Sequence, residues 1–378
     1  MAAETTEPDP LTGLVQTVVS VITYGEAEVS KITSDQETTE QQTDQDKPEL
    51  NALELASASA ELIRAYATKI SLFIINEPFT PTAIAKVLRE LLKEALPSIV
   101  MAAQLCVSSR YTATFRKDLA WRCGRVLKEL RVLLLKVPSD GKVLSDAQKN
   151  GSKELGGDKG SLAMTGLLWN ACDELTSITK GGVAAHLAKK VEQYRDTLKD
   201  VMEELKEWGE ETDEDDEDEI APDYGDADDP AQSAISSTQA MLDDLMNSQR
   251  HIPADDPDNI RPRLESCLRR IRLTTLLYQA IIKRRLKTLP RLPTPAASVV
   301  CSRVDEVLSM LRNIPDGFND VAAAFYELSP ADIDKHMDQR FLDAFTISEM
   351  LLKPWTGAEK DEFTDWALKF QVEIKKNS

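Results

Sequence analysis

Hydrophobic residues recur at helical spacing along most of the chain, and the clearest case lies near its middle. Between residues 182 and 209 the apolar positions alternate four and three residues apart over three heptads. These positions are Leu187, Val191, Tyr194, Leu198, Val201, Leu205 and Trp208. The spacing aligns them as one seam along a helix. Such a seam packs on other helices, either in an antiparallel bundle, which we favour, or in a coiled-coil dimer.

The same periodicity predicts helices along the rest of the chain, and prolines and glycines separate them. The predicted helices cover residues 11–30, 49–75, 80–107, 111–136, 162–178, 231–250, 259–288, 295–313, 317–328, 331–353 and 357–375. Thr80 and Asn259 stand at N-cap positions. Pro97 should kink its helix, and Pro315 should break or kink another. No segment alternates like a convincing β-strand, so the sequence predicts an all-α protein.

Charge is distributed unevenly along the 378 residues, whose net charge is −19. Residues 1–50 hold eleven acids and two bases, and residues 210–229 hold thirteen acids and no base. These two segments carry the acidity, and the remainder of the chain is close to neutral. A block of like charge repels itself and stays solvated, so we predict a disordered linker at 210–230. Its candidate contact residues are Asp213, Glu214, Asp215 and Asp216.

The linker divides the chain into two predicted helical bundles. Residues 1–48 form an acidic N-terminal segment with one helix and a disordered insert at 33–47. The N-terminal bundle covers 49–209, and the C-terminal bundle covers 231–378. Within the first bundle, residues 138–161 are rich in Gly, Ser, Lys and Asp and predict a flexible loop.

Composition bears on the compartment of the protein. No apolar run is long enough for a transmembrane helix, and the N-terminus lacks the pattern of a signal peptide. The five cysteines are odd in number and scattered, which is typical of free thiols in a reducing compartment. We therefore expect a cytoplasmic and nuclear protein with no membrane partner.

No pattern of catalytic residues supports an enzyme. The three histidines are isolated, and no Cys or His pair has the spacing of zinc ligands. The glycine-rich stretch 156–161 lacks the spacing of a phosphate-binding loop, and no strand precedes it. The cysteines lie inside helical patterns, where a thiol is usually a small core residue. The sequence predicts a protein without catalytic residues, metal or cofactor.

A strongly basic stretch covers residues 261–291, with ten bases and Glu265 as its single acid. The cations that we consider as contact residues are Arg269, Arg270, Arg272, Lys283, Arg284 and Arg285. Three interpretations remain: a solvated helix face with ordinary surface pairs, a surface masked by the acidic segment of the same chain, or a nucleic-acid interface. The acidic segment would repel phosphate and compete for this helix, so we expect no direct nucleic-acid binding.

The acidic segment is open to more than one interpretation as well. It could serve as a soluble spacer, as a regulated tail or as a mimic of nucleic acid for a basic partner. Thr212 precedes Asp213, Glu214 and Asp215, a pattern that acidophilic kinases accept. Two Arg-x-Leu strings at 89–92 and 131–134 are similar to cyclin-docking strings, but their helical setting favours core leucines.

A series of features in a fixed order resembles a known family. Residues 165–175 contain Trp169, Ala171 and Cys172, and the seam and then the acidic segment follow. Next come the basic residues 267–272 and the segment 318–326, which contains Asp320 and Tyr326. This order resembles the Grap2-and-cyclin-D-interacting family, also called cyclin-D-binding proteins. The resemblance covers 165–330 well and the first 160 residues by helix order.

The resemblance implies bundles akin to those of vinculin and α-catenin. It also implies a non-enzymatic protein that binds D-type cyclins or helix-loop-helix transcription regulators and restrains them in the cell cycle. The five named motif residues would then be structural. Residues 178–182 replace a proline-containing loop of the family, which bears on partner specificity. The architecture alone suggests an alternative, a cytoskeletal or scaffold adaptor. The sequence predicts no oligomeric state.

Overall fold

The computed structural model describes residues 10–34, 50–151, 159–210, 251–294 and 297–376. Within these ranges the chain folds into helices and no strand, which confirms the predicted all-α class. The helices are α1 (Pro10–Thr33), α2 (Ala52–Ile75), α3 (Pro81–Glu90), α4 (Leu96–Leu105), α5 (Ser108–Tyr111), α6 (Ala113–Leu134), α7 (Asp146–Asn150), α8 (Ser161–Glu210), α9 (Ile260–Ala280), α10 (Ala297–Tyr326), α11 (Pro330–Met350) and α12 (Glu362–Lys375). None of these helices is apolar over a length that would cross a membrane.

Several predicted elements lie outside the described residues. These are residues 1–9, most of the N-terminal insert, almost all of the acidic linker and the helix predicted at 231–250. The predicted loop 138–161 is described in part. It contains the short helix α7, which Ser145 begins with a capping box involving Gln148. The predicted flexible loop therefore contains one ordered helix, because Ser145 and Gln148 satisfy the first backbone groups of α7.

The helix departs from regular α-helical geometry directly before Pro97, close to the position where a kink was predicted. A π-helical turn, Leu91–Ala95, joins α3 to α4, and the Leu96 N–H donates to the Leu91 carbonyl five residues back. A proline inside a helix lacks a donor and clashes with the carbonyl four residues before it. The wider turn just before Pro97 accommodates both effects.

Pro315 does not end its helix, so of the two predicted outcomes, a break or a kink, the break was wrong. It lies inside α10, which runs without interruption to Tyr326. The missing N–H of Pro315 leaves the carbonyl of Leu311 without its usual donor. The hydroxyl of the buried Tyr278 donates to that carbonyl at 2.6 Å. A side chain 33 residues away therefore supplies the hydrogen bond that the proline removes.

Replacing Tyr278 with phenylalanine should destabilise the protein by about 1–3 kcal/mol, the range for leaving a buried polar group unsatisfied. The ring would stay in place while the Leu311 carbonyl loses its donor. Urea denaturation followed by circular dichroism would measure the change. Tyr24→Phe is the matched control, because Tyr24 is highly exposed and removal of its hydroxyl should be neutral. Equal stabilities of the two variants would contradict the argument.

Two predicted N-caps were wrong in their chemistry. Asn259 has a left-handed backbone and its side chain caps nothing. Asp256 caps the first turn of α9 instead, since its carboxylate accepts hydrogen bonds from the backbone N–H groups of Ile260 at 2.7 Å and Arg261 at 3.0 Å. Thr80 precedes Pro81 at the start of α3, as expected, but makes no capping hydrogen bond. The positions of Thr80 and Asn259 in the sequence indicated where each helix begins. They did not indicate which side chain accepts hydrogen bonds from its first N–H groups.

The helices cluster into two compact units. The first unit comprises the described residues of Met1–His186 and Arg291–Asp305. In it α1 packs on α4 and α6, and α2 packs on α4. The first part of α8 joins this bundle through hydrogen bonds from Thr165 to Ser71 and from Trp169 to Thr68. Asp305 caps the start of α6, accepting from the Ala113 N–H at 2.6 Å.

The second unit comprises the described residues of Leu187–Pro290 and Glu306–Ser378. In it α9 packs on α11 and α12, which also pack on each other. The seam of α8 belongs to this unit and is buried, apart from the half-buried Tyr194. At its end, the Trp208 ring lies 6.0 Å from that of Phe325 and 5.4 Å from that of Tyr326.

The compact units divide the chain differently from the predicted bundle boundaries. Residues 187–209 were placed in the N-terminal bundle but cluster with the second unit, and residues 291–305 cluster with the first. The reason is a break within α8 at Gly182, whose φ of 73° and ψ of 176° are not helical. Glycine adopts this conformation at little cost. That the bundles are separate folding domains stays a prediction.

Candidate interaction surfaces

The basic stretch predicted at 261–291 forms α9 and the π-helical turns Ile281–Leu286, together called the basic helix below. One of its cations, Arg285, is completely buried. Its guanidinium donates to the carbonyls of Leu351 at 2.8 Å and Leu352 at 3.2 Å, and it pairs with the carboxylate of Asp361. It also lies 4.2 Å from the centre of the Phe363 ring. Arg285 therefore fastens the segment between α11 and α12 and is not a surface residue.

Asp361 has two roles at this site. Its carboxylate accepts hydrogen bonds from the N–H groups of Phe363 at 3.1 Å and Thr364 at 3.0 Å, so it caps α12 while it pairs with Arg285. Burial alone would raise the pKa of Asp361. The hydrogen bonds from Arg285 and Thr364 and the adjacent positive charge outweigh burial and lower that pKa.

Two further cations of the basic helix are engaged within the second unit. Arg269 donates to the carbonyls of Glu373 at 2.9 Å and Lys376 at 2.6 Å, which are at the C-terminal end of α12. Such carbonyls lack helical donors, and a cation near them is favourable. Arg270 lies 3.7 Å from Asp338 and 5.8 Å from the centre of the Phe341 ring. These contacts favour the interpretation of ordinary pairs for this part of the basic helix.

The other candidate cations are more accessible. Arg272 and Lys283 are exposed, and Arg284 is half-buried with a long hydrogen bond of 3.4 Å to the Glu362 carbonyl. The four candidate acids, Asp213, Glu214, Asp215 and Asp216, lie outside the described residues. Masking of the basic helix by the acidic segment therefore stays a prediction. Among the six candidate cations, Arg272 and Lys283 could contact the acidic segment without losing a contact that the described residues show.

The motif residues occupy both units. In the first, Ala171 and Cys172 are buried, while the half-buried Trp169 donates to the Thr68 hydroxyl at 3.1 Å and lies 5.4 Å from the Arg64 guanidinium. In the second, the hydroxyl of Tyr326 donates to a carboxylate oxygen of Glu204 at 2.9 Å. The remaining motif residue, Asp320, is exposed on α10.

The thiols offer little nucleophilic reactivity. All five cysteines are free and buried. Burial raises the pKa values of Cys123, Cys172 and Cys267 to about 12, so their thiolate forms are scarce at neutral pH. Across the ranges that the structure covers, no group of three or more His, Cys, Asp or Glu side chains could hold a metal ion.

One exposed aromatic surface was missed by the sequence reasoning. Trp121 on α6 is 54% exposed, and the guanidinium groups of Arg122 and Arg125 lie 5.7 Å and 5.8 Å from its ring centre. Arg125 also pairs with Glu174 of α8. Helical periodicity could have found this surface, because position 121 lies opposite the leucines that predict the core face of α6.

Comparisons with known proteins bear on the first unit above all. Residues 56–211 match the family model described as Grap2 and cyclin-D-interacting, N-terminal. The chain is also similar to an uncharacterized protein of Schizosaccharomyces pombe, with 22% identity over 312 residues, which is 82% of this chain and 80% of the relative. Trp121 and Trp169 lie inside the family match, whereas the basic helix, Asp320 and Tyr326 lie outside it.

Proposed function

We propose that this chain, whose residues 56–211 match the Grap2 and cyclin-D-interacting family model, is a non-enzymatic interaction protein that binds a D-type cyclin or a helix-loop-helix regulator and restrains it. The family name itself refers to interactions with Grap2 and cyclin D. Partners of this kind would place the protein in the cytoplasm and the nucleus. The observation that carries the proposal is the exposed Trp121 with its two guanidinium groups inside the matched region.

The structure argues against two other routes of partner binding. Three of the four leucines in the two cyclin-docking-like strings, Leu91, Leu133 and Leu134, are fully buried, and Leu92 is half-buried. A cyclin could read these strings only if the helices unfolded. The seam of α8 is buried as well, apart from the half-buried Tyr194, so it offers no free zipper for a helix-loop-helix partner. These facts favour binding through an outer helical surface of the folded protein.

The test is direct binding between the purified full-length protein and a purified D-type cyclin, measured by titration calorimetry. We expect saturable binding with a dissociation constant of about 1 μM or lower, equivalent to about 8 kcal/mol. A helix-loop-helix regulator forms the second arm, and a cyclin of another class is the control. Restraint predicts that the protein also lowers the activity of the cyclin-dependent kinase complex in the same concentration range.

Absence of binding in both arms would refute the proposal. Co-sedimentation with actin filaments in that case would support the alternative, a cytoskeletal or scaffold adaptor. That alternative rests on architecture alone, since the structure gives the helical class of the fold and the family match gives no cytoskeletal partner.

A further inference from the structure

We propose that the solvent-facing stripe of α6 centred on Trp121 docks an acidic amphipathic helix of the partner protein. This inference rests on the proposed function, because it assigns the surface through which a protein partner would bind. The stripe, called the Trp121 stripe below, consists of the exposed Trp121, Lys128 and Leu135, the last of which directly follows α6, and of the half-buried Thr114, Lys117, Arg125 and Val132.

The Trp121 stripe follows from the periodicity of α6. Its members recur three or four residues apart, so they share one side of the helix. The opposite side carries the buried residues Phe115, Leu119, Cys123, Val126, Leu130 and Leu133. From position 117 to position 135 the stripe extends about 27 Å at the rise of an α-helix, enough for a partner helix of five turns.

Trp121 has the properties of an interface anchor. Tryptophan and arginine dominate the residues that carry most binding energy at protein interfaces. Here Arg122 and Arg125 both lie within 6 Å of the ring, at 5.7 Å and 5.8 Å, which is the range of cation–π attraction. Arg125 is held in turn by Glu174, so part of the surface is ordered before a partner arrives. Ordering before binding lowers the entropic cost of association.

The charge of the Trp121 stripe indicates the chemistry of its partner. Lys117, Arg125 and Lys128 are its charged members, and it contains no acid. Lys128 is exposed, and no ion pair joins it to another residue of the described ranges. Val132 and Leu135 extend the apolar character beyond Trp121, and Leu135 is also exposed. A helix with apolar residues at the matching spacing and acids beside them complements this pattern.

A synthetic peptide can test the surface without knowledge of the natural partner. The probe is an 18-residue helical peptide with leucines at three- and four-residue spacing and glutamates elsewhere. One control peptide replaces the glutamates with lysine, and a second replaces the leucines with serine. The full-length protein should bind the leucine–glutamate peptide at least tenfold more tightly than either control. Equal binding of all three peptides would overturn the proposal.

Matched variants assign the binding to the Trp121 stripe. Trp121→Ala should weaken binding of the leucine–glutamate peptide at least tenfold, and Lys128→Glu should weaken it severalfold. Leu342→Ala is the control, because Leu342 is 53% exposed on α11, close to the 54% of Trp121. Circular dichroism should show equal helicity for all variants. If Trp121→Ala and Leu342→Ala bind the peptide equally, the proposal fails.

The binding experiment also tests other ligands that a cationic surface such as the Trp121 stripe attracts. The same lysines and arginines attract anionic phosphatidylserine vesicles and duplex DNA. Binding of either that depends on Trp121, with no peptide binding, would overturn the assignment to a protein helix. Deletion of residues 211–229 should leave peptide affinity unchanged. A tenfold rise on deletion would instead make the acidic segment of this chain the occupant.

A D-type cyclin distinguishes failure of this inference from failure of the proposed function. Equal binding of the cyclin by wild type and Trp121→Ala would leave the proposed function intact and refute the docking surface. Absence of cyclin and helix-loop-helix binding together with Trp121-dependent peptide binding would leave the docking surface intact and refute the proposed partners.

Discussion

Replacing Asp361 with alanine should lower the free energy of unfolding by about 3 kcal/mol, because removal of one partner from a buried ion pair leaves an uncompensated charge. The charge in question belongs to Arg285, which is fully buried and would keep only its carbonyl acceptors. The substitution also removes the cap of α12, since Asp361 accepts from the Thr364 N–H. Urea denaturation followed by circular dichroism would measure the loss.

Asp334→Ala is the matched control for this prediction. Asp334 also makes a bidentate pair with an arginine of the basic helix, Arg263, at 3.0 Å and 3.1 Å. That pair is exposed to solvent, where ion pairs contribute about 0–1 kcal/mol. Equal losses for Asp361→Ala and Asp334→Ala would show that burial of Arg285 adds nothing, contrary to the argument.

The charge of Asp361 can be separated from its capping role by pH. Asp361→Asn retains an acceptor for the first turn of α12 and removes the charge. The pKa of Asp361 is lowered in the folded protein, so its stabilising effect is present above the unfolded value of about 3.9 and is lost as pH falls through the folded value. The stability difference between wild type and Asp361→Asn should therefore shrink below about pH 4. A constant difference would indicate that charge contributes little.

The sequence predicted features that depend on local spacing. The seam of α8 and the helical class are present in the structure, and a π-helical turn lies directly before Pro97, where a kink was predicted. Each follows from the 3.6-residue period or from the missing N–H of proline, which are properties of a short stretch of chain. The same reasoning failed where a distant side chain decides the outcome. Tyr278 preserves α10 across Pro315 from a different helix, and no local pattern signals that hydrogen bond.

The candidate site was predicted less well than the fold, for the same physical reason. Charge counting marked Arg285 and Arg272 as equivalent members of one basic helix. The structure distinguishes them, since Arg285 is buried beside Asp361 and Arg272 is exposed. Asp361 lies 76 residues from Arg285, so only the packed structure reveals the pair. An exposed aromatic such as Trp121 gives no periodic signal of its own, because the pattern of α6 is dominated by its core leucines.

The break at Gly182 lies between two helical stretches that were predicted from sequence, residues 162–178 and the seam. Residues 178–182, which replace a proline-containing loop of the family, include this break. In the structure it separates residues that cluster with the first unit from the seam, which clusters with the second. Sequence periodicity shows that a seam needs a partner, but it does not identify which helices supply one.

Replacing Trp208 with alanine should lower the free energy of unfolding by about 3–5 kcal/mol, the usual cost of truncating a buried tryptophan. Trp208 ends the seam of α8, is almost fully buried and packs on the rings of Phe325 and Tyr326. Trp121→Ala is the control, because the same truncation at an exposed site should change stability by about 0.5 kcal/mol or less. Similar losses for both variants would mean that Trp208 is not a core residue.

The same measurement separates the two interpretations of the seam. Within one chain, the contacts of Trp208 with Phe325 and Tyr326 do not depend on protein concentration. In a coiled-coil dimer, by contrast, mass action would raise the unfolding midpoint as the concentration increases. We therefore expect the midpoints of wild type and Trp208→Ala to stay constant over a hundredfold range of protein concentration. A midpoint that rises for wild type and is constant for Trp208→Ala would show that the seam pairs two chains, and the intrachain account of the second unit would be wrong.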